Sequence, residues 1–151
     1  MLHNQLFSEE VGILGHIVPA HATAGAYSTG WVDLSIFAMV GGVVSVGVLG
    51  SSATIAAKLE QATSSGGSGI KDVTNKAITG LTQTPTDNSS TTQIINCRAD
   101  ELDIVNGFRY VRLTITVGVA TSDVVGLLMG LGCKYGPASD HDDTTVSQYV
   151  N

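Results

Sequence analysis

The sequence has 151 residues, a formal charge of −6 and a charged fraction of only 13%, while glycine alone contributes 18 residues. This length suits one domain with a sizeable core that needs neither disulfides nor metals. Seven Lys and Arg against thirteen Asp and Glu leave no basic footprint, so nucleic acid is not an expected partner. Abundant Gly, Ser, Thr and Val favour strands and turns over a helical bundle. We therefore expect an all-β protein.

Residues 1–30 have a mixed composition and read as an extended N-terminal arm, with a short strand over residues 12–18. Glu9 and Glu10 stand where a signal peptide would carry basic residues, so a secretory leader is not expected.

An uncharged stretch over residues 36–57 is long enough to cross a bilayer as a helix. Its many Gly, Ser and Val residues are poor helix formers, and no Lys/Arg cluster flanks it. We expect no membrane span. Residues 36–50 are predicted to form one or two strands, bent near Gly41 and Gly42.

Strand patterns continue along the chain. Residues 53–61 and 108–117 alternate apolar and polar side chains with period two, as half-buried strands do. Residues 124–133 are apolar on both faces, which predicts a central core strand. Seven to nine strands separated by turn signals predict a β-sandwich or jelly roll over residues 31–136, followed by a polar C-terminal tail at 137–151.

Motifs that could carry chemistry are weak. Asp140, His141, Asp142 and Asp143 could offer ligands to calcium, but their spacing is not that of an EF-hand, and a solvated acidic tail explains them. Ser68-x-x-Lys71 matches a serine–lysine nucleophile pattern, yet it lies in a glycine-rich loop rather than on the helix such chemistry needs. The sequence predicts no enzyme, no metal and no cofactor.

Two cysteines, Cys97 and Cys133, lie far apart within apolar strand patterns, where a free thiol behaves as a small buried hydrophobe. A disulfide between neighbouring strands remains open as the alternative, although it is rare in a reducing cytoplasm.

Arginine and aromatic side chains gather around the predicted strand at 108–117. Both types are enriched at protein interfaces because they combine contact area with directional hydrogen bonds. Ion pairing of the arginines with Asp100 or Glu101 is the alternative. The candidate interface residues are Trp31, Arg98, Arg109, Tyr110 and Arg112.

Six segments of the sequence resemble a group of small virion proteins of tailed bacteriophages, over roughly residues 30 to 136. They are VDLS at 32–35, KLEQATSSG at 58–66, IKDV at 70–73, AITGLT at 77–82, RADELD at 98–103 and GFRYVRLTITVG at 107–118.

The resemblance implies a capsid decoration, or cement, protein without catalytic residues. Such a protein is made in the host cytoplasm and binds the outer surface of the shell of major capsid protein, usually as a homo-oligomer, here a dimer or trimer. Residues 1–30 would contact the capsid or a sister subunit by strand addition.

Two other functions remain open. A neck, tail or head-fibre-base protein could use the same sandwich. A carbohydrate-binding module is an alternative of a different class, although Trp31, Tyr27 and Tyr110 are few aromatic residues for a sugar-binding sheet face.

Overall fold

The computed structural model describes residues 6–135, 142 and 145–150. After a four-residue helix, the chain forms ten strands, and two 3₁₀ helices lie between β8 and β9 at Ala99–Glu101 and Ile104–Asn106. The elements are α1 Phe7–Glu10, β1 Val11–Ala22, β2 Gly25–Ser28, β3 Val32–Asp33, β4 Phe37–Val46, β5 Thr54–Ala62, β6 Lys71–Ala77, β7 Leu81–Thr82, β8 Thr92–Arg98, β9 Tyr110–Gly118 and β10 Ser122–Cys133.

Two antiparallel sheets pack face to face. One has four strands in the order β1-β10-β4-β8, and the other has the order β2-β9-β5-β6, with β3 added to β9 and β7 to β5. If the two-residue strands β3 and β7 are set aside, the eight remaining strands follow the double Greek key of a jelly roll. The predicted all-β, jelly-roll-like sandwich is confirmed.

Alternating apolar residues supply the core between the sheets. On β5, Ile55, Ala57 and Leu59 point inward, and on β9 Val111 and Leu113 do the same. The predicted alternation of both strands is confirmed. β10, predicted as a central strand, does lie between β1 and β4.

The uncharged stretch at 36–57 contains β4, a loop and the beginning of β5. β4 is one continuous strand, and its residues Met39 to Ser45 pair with β8 without a register shift. The bulge or turn expected at Gly41 and Gly42 is therefore wrong. Among the described residues, no helix is long and apolar enough to cross a bilayer.

The predicted arm needs correction. β1 and β2 belong to the two sheets, and Leu14 and Ile17 of β1 are buried in the core. Two register shifts, between Ile13 and Gly15 and between Ile17 and Ala20, interrupt the pairing of β1 with β10. Because each shift changes which face a side chain occupies, the period-two signal of this strand is lost from the sequence.

The structure describes the predicted C-terminal tail only in part. Residues 136–141, 143, 144 and 151 lie outside the described part, including Asp140, His141 and Asp143 of the acidic cluster. Asp142 donates its backbone N–H to the Ile13 carbonyl at 2.7 Å, and the Thr145 hydroxyl lies 2.6 Å from His16 Nδ1. The C-terminal segment therefore contacts β1.

Cys97 and Cys133 are both free thiols.

Candidate functional site

The outer face of the four-stranded sheet carries an apolar patch over β8, β4 and β10, and we call this patch the apolar face. Register places the odd-numbered residues of β4 and β10 side by side, facing away from the core. Across β4, even-numbered residues of β8 face the same way, opposite Met39, Val43 and Ser45. The apolar face consists of Met39, Val43, Ile94, Val125, Leu127, Met129 and Leu131.

None of these seven side chains carries a charge. Ile94, on the edge strand β8, is 64% exposed, Met39 is also exposed, and the other five are partly exposed. A soluble monomer normally covers a sheet face of this kind with polar residues, so this contiguous apolar surface is a candidate contact site. In the sequence, residues 124–133 are apolar on both faces, which predicts a central strand but does not show that one of the faces is exposed.

The outer face of the six-stranded sheet is polar, and it is centred on Glu60. This carboxylate is only 8% exposed. It accepts hydrogen bonds from Arg112 Nε and Thr114 Oγ1, both at 2.8 Å, and Lys58 Nζ lies 3.2 Å away. Ser28 Oγ lies 2.8 Å from Thr114 Oγ1, so the network reaches β2. Burial raises the pKa of Glu60, but the hydrogen bonds from Thr114 and Arg112 outweigh it, and the pKa lies below the usual 4.5.

Trp31 covers one end of this polar face. The Arg112 guanidinium lies 4.5 Å from the centre of a Trp31 ring, within the range of a cation–π contact. Gly67 also lies against Trp31, since a Cβ at Gly67 would be 2.6 Å from the indole nitrogen. Because Gly67 also has φ +80°, glycine suits both the turn and the close approach of the indole.

Four of the five candidate interface residues lie at this end of the polar face. Arg109 Nη2 lies 3.1 Å from Asp33 and donates to the Tyr110 hydroxyl at 3.0 Å, and Tyr110 lies two positions before Arg112 on β9. The fifth, Arg98, ends β8 in the other sheet, where its Nε lies 3.1 Å from Asp100. Arg98 therefore lies apart from the other four residues. It is opposite Met39 of the apolar face, and its role at an interface stays a prediction.

The three arginines form ion pairs, as the alternative interpretation expected, but two of them pair with residues other than Asp100 and Glu101. Arg109 pairs with Asp33, and Arg112 pairs with Glu60. Only the Arg98 and Asp100 pair was anticipated. Glu60 was not predicted as a site residue, because the alternation of β5 places it among the solvent-facing positions. Its burial depends on Arg112, which lies on a strand about fifty residues away.

Two kinds of reactive group, metal-ligand clusters and thiols, can be assessed among the described residues. In residues 6–135, 142 and 145–150, no group of three or more His, Cys, Asp or Glu side chains is placed to hold a metal ion. Burial raises the pKa of the Cys97 thiol to about 11, which makes it a poor nucleophile at neutral pH.

Comparison of the chain with protein-family models finds no match, and comparison with curated proteins finds none either. Among solved structures, the chain is similar to TmCBM61, a carbohydrate-binding module solved in complex with β-1,4-galactotriose. The TM-score is 0.34 at 14% identity, and the match covers 74% of this chain and 67% of the other. The sandwich assignment rests on the strands themselves.

Proposed function

We propose that this chain is a structural, non-catalytic protein of a tailed-phage virion, a decoration protein on the outer surface of the shell of major capsid protein. The observation that carries the proposal is the apolar face, with seven uncharged side chains on three adjacent strands. Its aliphatic chemistry suits protein contact. The sequence resemblance to small virion proteins supports the same function. The jelly roll serves capsid and lectin domains alike, so the fold does not decide between them.

Contact through the apolar face fits the expected homo-oligomer and the binding of a shell. A protein that binds only the assembled shell stabilises that shell by mass action. The charge of −6 makes contact with packaged DNA unfavourable, which favours the outer surface. We propose synthesis in the host cytoplasm followed by binding to the assembled head.

The test places a lysine on the apolar face. Ile94→Lys is compared with Val48→Lys, because both residues are 64% exposed and Val48 lies in a loop outside the apolar face. Each purified chain is added to heads of the encoding phage that lack it, and bound copies are counted after sedimentation. A lysine buried without a partner in a contact should lower the affinity at least about tenfold. We expect this loss for Ile94→Lys only.

Equal binding by the two variants would overturn a role for the apolar face. The copy number separates decoration from a neck, tail or fibre-base position. Hundreds of copies per particle favour decoration, and six or twelve favour the other positions.

Carbohydrate binding is a second candidate, favoured by the aromatic side chains of Trp31 and Tyr110 at one end of the polar face. Trp31 lies beside Arg112, and polar side chains of β5 and β9 extend from there along the face. Sugar sites commonly pair an aromatic ring with hydrogen-bonding groups, but Arg112 already occupies the vicinity of the ring. A glycan array is probed with the wild-type chain and Trp31→Ala. Binding that the variant loses, without any association with heads, would favour this candidate over decoration.

A further inference from the structure

A small apolar pocket opens at one end of the sandwich, beside the 3₁₀ helices. It has a volume of about 220 Å³. Leu34, Leu102 and Phe108 are the buried residues that line it, and Ile104 forms an exposed wall. Pockets for drug-sized ligands occupy about 300–1,000 Å³, so this pocket has room for one large side chain.

Two cationic residues, Arg109 and Lys134, also line this pocket. The Arg109 guanidinium pairs with Asp33 at 3.1 Å. Within the described ranges Lys134 has no ion pair, whereas the other lysines, Lys58, Lys71 and Lys76, all have carboxylate partners. An apolar pocket beside an unpaired ammonium group is complementary to an apolar group that adjoins a carboxylate.

Hydrogen bonds and an ion pair hold the wall of the pocket in place before any ligand binds. Asp103 accepts two hydrogen bonds from the Asn106 side chain at 2.9 Å, pairs with Lys71, and donates its backbone N–H to Gln61 Oε1 at 2.9 Å. Gly107 then ends the second 3₁₀ helix at φ +81°. A preformed wall lowers the entropy lost when a ligand binds.

We infer that this end pocket is an anchor site for a segment of a partner protein, in which a large apolar side chain adjoins an Asp or Glu. The apolar side chain fills the pocket, and the neighbouring carboxylate contacts Lys134. The inference goes beyond the proposed function, because none of the pocket residues belongs to the apolar face. Equal head binding by Ile94→Lys and Val48→Lys, which would refute a role for the apolar face, and failure of this site are therefore separate results.

Four capped tetrapeptides test the chemistry: acetyl-Ser-Phe-Glu-Ser-amide and its Phe-Gln, Ala-Glu and Ala-Gln counterparts. Binding to the full chain is followed by backbone amide chemical shifts, with dissociation constants expected in about the millimolar range. Replacing Phe should weaken binding at least about tenfold, since an aromatic side chain leaves the pocket. Replacing Glu should weaken it about two- to fivefold, as for an exposed ion pair.

Variants of the chain test separately the contact of the pocket with Phe and the contact of Lys134 with Glu. Lys134→Gln should remove the preference for Glu over Gln while the preference for Phe over Ala persists. Ile104→Asp should weaken the Phe peptides. Val105→Asp should leave them unchanged, because Val105 is 97% exposed and does not line the pocket.

Three results would overturn the inference. They are no binding of the Phe-Glu peptide up to about 10 mM, equal binding of all four peptides, and equal loss in Ile104→Asp and Val105→Asp. Free 3-phenylpropionate binding more tightly than the Phe-Glu peptide would instead identify a site for a small acid and reject the protein segment.

Discussion

Val119 shows how one residue can be held in an unfavourable conformation at the surface. It lies between β9 and β10, is 72% exposed and has φ +70°. A left-handed conformation costs an L-residue about 1–2 kcal/mol, and a β-branched side chain is especially unsuited to it. At this position the backbone demand of the turn outweighs the preference of the side chain.

Val119→Gly should therefore stabilise the fold. Glycine removes the steric cost, but its greater freedom in the unfolded chain offsets about 0.5–1 kcal/mol of this gain. We therefore expect a net stabilisation of up to about 1.5 kcal/mol. Urea unfolding at neutral pH measures it. Val105→Gly is the control: Val105 is also exposed but is not among the residues with positive φ, and it should lose stability or stay unchanged.

Glu60 links stability to pH. Its pKa is lowered in the folded protein, so between the folded value and about 4.5 the unfolded chain binds more protons. Its contribution is complete above about pH 4.5 and is lost as the pH falls through the folded value. Urea midpoints measured from neutral to acidic pH should fall less steeply for Glu60→Gln than for the wild type. Parallel curves would show that Glu60 does not contribute to acid sensitivity.

Residue-level prediction succeeded where the signal was local. The even and odd positions of β5 and β9 could be assigned to faces from alternation alone. The partners of Arg112 could not, because Trp31 and Glu60 reach it through two different pairings of β9 with distant strands. The same limit explains why Arg98 was grouped with residues that lie in the other sheet.

At the scale of elements, β10 is shaped by small residues on its inner face. Gly126 and Gly130 face the core, where the large side chains of neighbouring strands fill the space that a Cβ would take. At Gly130, a Cβ would lie 2.7 Å from a Phe37 ring carbon and 2.8 Å from Leu14. The strand therefore combines a close-packed inner face with the apolar face outside.

Gly130→Ala should destabilise the sandwich by about 1–3 kcal/mol, the usual cost of overpacking a core. Gly41→Ala on the adjacent strand is the matched control, since its nearest atoms are 3.9 Å away in ordinary contact. We expect little change for the control. Similar unfolding midpoints for both variants would mean that the Phe37 and Leu14 side chains move aside for the added Cβ at little cost.

Strands could be predicted from the sequence where apolar and polar residues alternate regularly. Most strands were found, because period two survives in them. β1 was only partly recognised, because its two bulges break the alternation, and the expected short strand at 12–18 extends in the structure from Val11 to Ala22.

For the whole molecule, the main consequence of the fold is that residues 11–22 belong to the sandwich. Removing residues 1–22 would delete Leu14 and Ile17 from the core and expose the edge of β10. Each buried aliphatic side chain contributes about 1.5–3 kcal/mol, so this loss is comparable to the stability of a small domain. We expect the truncated chain to unfold or aggregate, as judged by circular dichroism and sedimentation. A soluble product with an unchanged melting temperature would restore the arm interpretation.

The class of the molecule followed from composition, because few charges and many β-branched and turn residues leave little room for helices. The order of strands did not. Val11 pairs with Leu131, and no local pattern specifies a partner so distant along the chain. The apolar face also became visible only when register placed β8, β4 and β10 side by side.

The position of β10 has a consequence for biosynthesis. Of the ten strands it is the last to leave the ribosome, yet in its sheet it separates β1 from β4. Until residues 122–133 emerge, β1 has no neighbour in that sheet, while β4 can already pair with β8 and β5 with β9. Because domains acquire structure as they are synthesised, a nascent chain stalled before β10 should hold an incomplete sheet with its apolar residues uncovered, and chaperones would meet it in that state.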